Sequence, residues 1–316
     1  MVKPRSPDAS FIFAVVGPTA VGKSALALGL AEELSTEILS ADSMQVYVGM
    51  DIGTAKPSNE DRERVRHHLI DVADPRENFS VADYGRLAEP ILEEFSRNQR
   101  PLVVCGGTGL YMKALFEGLA SAPPPDFAFR EEMEARAEEE GTPALHRRLA
   151  ELDPQSAATI HPHDRKRIIR ALEIWHSTGT TKSRFEAMQP PPRWSDRVRW
   201  YGIIRPWRKL DYRIDARVDE MFRAGLVSEV ESLRAMGCSR KHTSMQALGY
   251  KEVLEHLEGA RSLGDTVEVI KQRTRRFARR QMTWFRPNTR IRWVSLSPGD
   301  SEGSEIRRLV EEIDRN

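Results

Sequence analysis

"FIFAVVGPTAVGKSALALGLAEEL", residues 11–34, decides the fold. An apolar, β-rich run (11–16) leads into "GPTAVGKS" (17–24), which fits G-x-x-x-x-G-K-[ST]. Leu26, Leu30 and Leu34 then repeat at helical spacing. Strand, glycine-rich turn and helix in that order build a phosphate cradle. Gly17 and Gly22 let the backbone turn so that its N–H groups face an anion. Lys23 adds a positive charge, Ser24 offers a hydroxyl to Mg²⁺, and the following helix points its positive end at the same spot. The candidate phosphate-binding residues are therefore Gly17, Pro18, Thr19, Ala20, Val21, Gly22, Lys23 and Ser24.

Further β-rich runs lie at 37–40, 101–105, 199–204 and 291–296, with helical patterns between several of them. Apolar strands alternating with helices predict an α/β protein with a parallel sheet covered on both faces. The middle of the chain differs. "PPP" at 123–125 and again at 190–192 brackets a stretch with helical patterns and no convincing strand. Thr142 followed by Pro143, and Asp153 by Pro154, read as N-caps with proline at the first helical position. "DRKRIIRALEIWHSTG" (164–179) carries an apolar stripe of Ile168, Leu172 and Trp175 and stops at Gly179. The expected organisation is a P-loop NTPase-like core over 11–120 and 196–316, with a mostly helical insertion over 121–195. The segments 213–237 and 266–285 each read as a long helix, and "SPGDSEGSE" (297–305) as a flexible connection to a last short one.

Composition bounds the rest. Hydrophobic residues make 40% and charged residues 30% of 316, values of a water-soluble globular chain. No apolar run reaches bilayer length. The polar start, "MVKPRSPDAS", is a loose tail rather than a signal peptide. Cys105 and Cys238 give neither finger spacing nor a disulfide framework, so a reducing cytoplasm is expected. Monomer is the default, and no protein partner and no membrane are implied. The net charge is +1, but its distribution is uneven. Nine Lys and Arg residues between 271 and 292 have no acid among them. Such a run points to a polyanion, and tolerance of like charges four apart on a helix is easier to explain with phosphates against that face.

Which phosphate does the cradle hold? A triphosphatase usually adds an Asp at the end of a buried strand to hold Mg²⁺ or order water. Here the best strand, "PLVVC", ends in "GGTG" (106–109), which has a hydroxyl at Thr108 and no carboxylate. A leaving diphosphate needs only the cradle, the metal and cations. An acid does follow the strand "EILS": Asp42, at the carboxyl edge of a parallel sheet. It could bind metal, serve as a general base, or cap the next turn. His67 and His68 on a strand face opposite ways and suit packing better than ligation. His161 and His163 sit at a helix start as capping or surface residues.

"GPTAVGKS", "SADSMQVY", "MDIGTAKP", "HHLIDV", "GGTGLY", "RIDARVDEM", "ALGYKE" and "RRQMTWFR" occur in that order. The ordered set resembles the bacterial tRNA dimethylallyltransferase family, across about residues 11 to 296. The resemblance implies transfer of a five-carbon prenyl group from dimethylallyl diphosphate to N6 of the adenine just 3′ of the anticodon, in tRNAs reading U-initial codons. It implies Thr19, Gly22, Lys23 and Ser24 as diphosphate ligands with Mg²⁺ as cofactor, and Asp42 as general base. It further implies Thr108 beside the reacting groups, and Arg213 and Arg217 as candidates to neutralise diphosphate. Ser43, Met44 and Gln45, with Asp42 and Thr108, match positions near the base. Arg130, Lys166, Arg167 and Arg170 match tRNA contacts, as do Gln246, Gly249, Lys251, Arg279, Arg280, Gln281, Trp284 and Arg286. The partner is then the anticodon stem-loop.

Three rivals remain at this level. An adenylate prenyltransferase shares the cradle and the acid but needs neither insertion nor basic helix. A P-loop kinase or NTPase would use the missing strand-end acid. A non-catalytic RNA-binding protein would not need Lys23, Ser24 and Asp42 intact.

Overall fold

The computed structural model describes residues 11–118, 123–189, 193–296, 307–308 and 310–311. The tail before residue 11 and the connection 297–305 lie outside them, as does the second proline triplet; residues 307, 308, 310 and 311 are helical. Two compact units result: residues 1–116 with 194–316, and residues 117–193.

The first unit is built on β1 (Ile12–Val16), α1 (Lys23–Glu33), β2 (Ile38–Ser40), α2 (Asn59–Arg64), β3 (His67–His68), α3 (Val81–Arg97), β4 (Leu102–Cys105) and α4 (Gly109–Phe116). The second holds α5 (Phe127–Glu139), α6 (Thr142–Leu152), α7 (Pro154–Thr159), α8 (Arg165–Thr178) and α9 (Lys182–Ala187). The chain then returns to the first unit through β5 (Val198–Ile204), α10 (Trp207–Arg223), α11 (Leu226–Ala235), α12 (Tyr250–Leu257), α13 (Leu263–Phe285) and β6 (Ile291–Ser295).

Among the described residues the six strands form one sheet in the order β3-β2-β4-β1-β5-β6. Every pairing is parallel. The reason is legible in β1, all five residues of which are buried. Successive side chains of a strand face opposite ways. Ile12, Ala14 and Val16 enter one apolar cluster with α3 and α4, whereas Phe13 and Val15 enter another with α1, α10 and α13. A strand apolar on both faces fits only under helices on both sides. A third cluster joins α10, α11, α12 and α13 to the segment after β2, through Val46, Tyr47 and Met50. Parallelism also sets the function-bearing edge: the segments leaving β2, β4 and β1, neighbours in the sheet, emerge side by side at its carboxyl end.

The helical unit has its own core around Met133, Leu145, Leu149, Ile168 and Leu172. Glu173 is completely buried there, accepting from the Asp126 amide (2.7 Å) and from Arg130 Nε (2.7 Å), with Arg170 as third partner. Burial raises this carboxyl, but those hydrogen bonds outweigh burial and hold it below the ordinary range.

Three local expectations need correction. Gly141, not Thr142, is the N-cap of α6; Thr142 is the first helical residue, and its hydroxyl accepts from Arg165 Nε (3.2 Å). Trp175 is exposed rather than part of the α8 stripe, whose buried face runs through Ile168, Ile169 and Leu172. The segment 213–237 is not one helix: Gly225 at φ 101° ends α10 and caps α11. Asp153 does cap α7, accepting from the Ser156 amide at 3.1 Å, and Gly179 ends α8 at φ 67°.

Candidate active site

The cradle leaves β1 at Gly17, where φ is 143° and a Cβ would lie 2.7 Å from the Ile203 carbonyl oxygen on β5. Only glycine fits there. Ala20 adopts φ 62°, a left-handed conformation that costs a residue with a Cβ roughly 1–2 kcal/mol. Side chains hold this strained loop by its carbonyls. Lys23 Nζ donates to Pro18 O (2.8 Å), Arg213 Nε to Ala20 O (2.9 Å) and Arg205 Nε to Val21 O (2.9 Å). The Thr19 amide donates to Gln281 Oε1 (2.8 Å). The first helical residue of α1 is Lys23, and its N-cap, Gly22, offers no side-chain cap. The first-turn amides and the dipole of α1 are therefore left for an anion.

Lys23, Ser24, Arg213 and Arg217 are among the residues that line a cleft of about 830 Å³. Burial pushes the Lys23 ammonium down to about 8; Cys105 and Asp42 oppose that shift, and Arg217 adds to it. Burial likewise pushes the Cys105 thiol up to about 11. Cation, thiol and carboxylate thus lie within electrostatic reach of one another.

Asp42 follows β2 by two residues. Its Oδ1 accepts from the amides of Met44 (2.9 Å) and Gln45 (3.4 Å), so the carboxylate does cap the next turn. Among the described residues these bonds reach Oδ1, not Oδ2. Thr108 Oγ1 accepts from the Ser43 amide (3.0 Å) and donates to Ser43 Oγ (3.3 Å), tying the segment after β4 to the segment after β2. β4 ends, as read, in two glycines, Thr108 and Gly109, without a carboxylate. Gln45 is engaged at both ends of its amide: it accepts from Ser40 Oγ (3.1 Å) and donates to the carbonyls of Thr54 and Ala55 (3.3 Å each).

Those carbonyls belong to a loop whose anchors sequence reasoning missed. Glu229 on α11 accepts three successive amides, from Asp51 (2.9 Å), Ile52 (2.8 Å) and Gly53 (3.2 Å), as well as the Tyr250 hydroxyl (2.5 Å). The Lys56 side chain, only 2% exposed, donates to Tyr47 O (2.6 Å) and pairs with Asp51 (2.7 Å) and Asp71. The motifs "MDIGTAKP" and "ALGYKE" are thereby explained as two halves of one clasp that supports the Asp42–Gln45 turn.

The basic run lies on α13, whose buried face is Thr266, Ile270, Thr274, Ala278, Gln281 and Phe285. Of the six basic residues on α13, three are answered from α10, and Arg273 pairs with Glu252 of α12. Asp219 pairs with Lys271 (2.8 Å), Asp215 with Arg275 (3.0 Å) and Asp211 with Arg279 (2.9 Å), an antiparallel ladder with rungs four residues apart on both helices. The matched four-residue spacing of acids on α10 and cations on α13 is visible in the sequence. Phosphates are not needed to explain why those like charges coexist. Arg276, Arg280 and Arg286 are exposed and form no ion pair among the described residues, and Trp284 is exposed. Gln281 is 7% exposed and points inward, to the cradle. Gln246 is exposed and donates to Arg240 O. Gly249 at φ 97° opens α12, with Lys251 half-buried in its first turn. In the helical unit Lys166 and Arg167 are exposed, whereas Arg130 and Arg170 serve buried Glu173. His68 pairs with Glu37 (2.6 Å), His67 Nδ1 donates to Val65 O (2.8 Å), and exposed His161 takes the His163 amide (3.2 Å).

The model of the IPP transferase family matches residues 45–288. The chain belongs to the IPP transferase family. It is therefore a transferase. The match begins after the cradle, so the cradle's geometry is an independent observation. A tRNA dimethylallyltransferase of Geobacter metallireducens is 47% identical over 90% of this chain and 92% of its own. One from Geobacillus kaustophilus is 42% identical over 95% and 94%. Among solved structures, the full-length tRNA isopentenylpyrophosphate transferase of Bacillus halodurans superposes with a TM-score of 0.70 at 39% identity, covering 96% of this chain and 95% of that one. A eukaryotic dimethylallyltransferase described as acting on tRNA gives 0.77 at 27% identity, with 95% and 77% covered. IPP transferases thus share the sheet and helices described above. No described helix is long and apolar enough to cross a membrane.

Proposed function

We propose that this IPP transferase moves a dimethylallyl group from dimethylallyl diphosphate to the N6 amine of the adenine 3′ of the anticodon, in tRNAs reading U-initial codons, in the cytoplasm. The observation that carries the reading is a phosphate cradle whose neighbouring strand β4 is followed by Gly106, Gly107, Thr108 and Gly109, while a carboxylate, Asp42, follows the next strand, β2, at the same sheet edge. That arrangement suits a diphosphate that leaves, not a phosphoryl group that moves.

An exocyclic adenine amine is a poor nucleophile, because its lone pair is delocalised into the ring. The allylic carbon compensates by ionising partway before attack. N6 attacks that carbon, the carbon–oxygen bond breaks, and the electron pair leaves with diphosphate. Lys23, Arg213, Arg217 and the first-turn amides of α1 stabilise the departing charge, the largest contribution expected. Asp42 Oδ2 takes the N6 proton, an effect of roughly 10²–10⁴-fold. Thr108 aligns the reacting pair, and Ser43, Met44 and Gln45 surround the base, which leaves its stack most easily in a loop. Gly17 to Ser24 embrace the diphosphate.

Mg²⁺ fits as cofactor. It takes oxygen ligands and keeps water and substrate phosphates around it instead of an all-protein cage. The described residues hold no cluster of three or more His, Cys, Asp or Glu side chains, while Ser24 exposes a hydroxyl at the cleft. The ion would be held by Ser24 and the diphosphate, and would supply further charge neutralisation.

The helical unit, residues 117–193, acts as a tRNA-binding insertion through Lys166 and Arg167, with Arg130 and Arg170 near the same surface. Arg279, Arg280, Trp284, Arg286, Gln246, Gly249 and Lys251 contribute from the other unit. Incubation of the protein with labelled dimethylallyl diphosphate, Mg²⁺ and either an anticodon stem-loop or AMP tests the reading. Label is expected on the RNA and is abolished or strongly reduced in Lys23→Ala and Asp42→Ala. Label on AMP alone, or full activity in both variants, would sink it.

A further inference from the structure

We infer that Gln281 is a positioning residue that sets the distance between the leaving-group half of the site and its acceptor half. The inference rests on the function proposed above and concerns how its two halves are held together. Gln281 lies on the inward face of α13, 7% exposed, flanked by buried Ala278 and Phe285. Both ends of its amide are taken. Oε1 accepts the Thr19 amide of the cradle (2.8 Å), and Nε2 donates to the carbonyl of Gly107 (3.0 Å). One side chain therefore joins the loop after β1 to the loop after β4.

The second loop carries the link onward. Thr108, the residue after Gly107, holds the Ser43 amide and hydroxyl, and Asp42 precedes Ser43. Gly106 lies so close to the Ala41 carbonyl that a Cβ would overlap it. The path from the cradle to Asp42 thus runs Thr19, Gln281, Gly107, Thr108, Ser43, Asp42, with hydrogen bonds wherever the chain itself does not connect. Gly107 is fitted to the same contact: a Cβ there would collide with Gln281 Nε2. An amide is the group that meets both needs, because one end must accept an N–H and the other must donate to a carbonyl. A glutamate could accept from Thr19 but would turn an oxygen toward the Gly107 carbonyl. With both ends engaged inside the fold, Gln281 does not reach for RNA.

Displacement reactions are sensitive to such spacing; a misplacement of about 1 Å can cost on the order of 10²-fold in rate. Loss of the clamp should therefore slow the chemical step while leaving each substrate's binding intact. The experiment measures single-turnover prenyl transfer to an anticodon stem-loop at saturating substrates, alongside equilibrium binding of inorganic diphosphate and of the RNA alone. Wild type, Gln281→Ala, Gln281→Glu, Gly107→Ala and the double variant Gly107→Ala/Gln281→Ala are compared, with thermal unfolding recorded for each. The expected result is a rate on the order of 10–100-fold lower in Gln281→Ala and Gln281→Glu, with diphosphate and RNA affinities within about twofold of wild type. Gly107→Ala should fall similarly, and the double variant should be no slower than the worse single one, because the two groups act as one contact.

A rate loss fully accounted for by weaker diphosphate binding would overturn the inference and leave Gln281 a support of the cradle. An unchanged saturating rate with a raised KM for RNA would overturn it in favour of an RNA contact. Multiplicative losses in the double variant would also refute it. An active wild type with an equally active Gln281→Ala would reject the clamp alone, whereas a wild type that transfers nothing would reject the function on which it stands.

Discussion

Lys23 carries a charge where charge is costly. Burial brings its folded pKa down to about 8 from an ordinary 10.5, so the free protein begins to lose this proton as the pH rises through 8. A bound diphosphate favours the ammonium and draws the proton back. Affinity for inorganic diphosphate is therefore expected to be level below pH 8 and to fall above it, approaching roughly tenfold per pH unit. Calorimetry from pH 7 to 9.5 reads both the fall and the proton uptake. In Lys23→Arg, whose guanidinium stays charged, the fall should vanish; a pH-independent wild type would exclude the ammonium as the titrating group. The cradle was readable in advance because its residues are contiguous and each has a local reason. Its supports were not. Gln281 and Arg205 reach Thr19 and Val21 across 262 and 184 residues of chain, and no periodicity signals such a bond. Asp42 illustrates a different limit: capping and proton transfer had looked like alternatives, yet a carboxylate has two oxygens and can cap with one.

At the scale of elements, the ladder between α10 and α13 divides the basic run into structural and exposed members. Arg275 faces Asp215, whose carboxyl burial raises despite Arg275 and Lys271 beside it. Arg280 faces outward against Phe277. Replacing Arg280 with Ala should weaken RNA binding and lower the slope of log affinity against log salt by about 1. Arg275→Ala should leave that slope unchanged and instead lower the unfolding midpoint. Titrations of an anticodon stem-loop at several salt concentrations separate the two, and equal slopes in all three proteins would dismiss α13 as an RNA face. Helices were well signalled by apolar repeats, but a repeat does not report a break that preserves its phase. Gly225 turns the chain while Leu226 and Val230 resume the burial pattern, so two helices read as one.

Across the whole molecule, stability rests on a sheet sandwiched between two apolar clusters. Leu92 of α3 is 1% exposed against the β1 face. Leu92→Ala should cost about 2–5 kcal/mol, read as a lower denaturant midpoint at unchanged slope; a negligible shift would mean that this layer is not closely packed. The α/β class and the parallel sheet were legible because strands buried on both faces leave uninterrupted apolar runs. Strand order was not, since pairing joins β1 to β4 and β5 across long stretches of sequence. β3, two residues long, is too brief for any periodic signal.

The Glu229 clasp gives the segment after Met50 a property that its irregular backbone conceals. Asp51, Ile52 and Gly53 belong to no helix or strand, yet one carboxylate takes all three of their amide hydrogens, and a buried lysine closes the other side. In deuterium exchange such amides behave like those of a sheet, because they cannot open one at a time. They should exchange together and slowly, at the pace of α11 and α12. Glu229→Gln should release all three at once, so a peptide spanning 50–57 would gain deuterium in a single step. The region around the proposed acceptor base is thus kept in place by a coil as rigid as the scaffold beneath it.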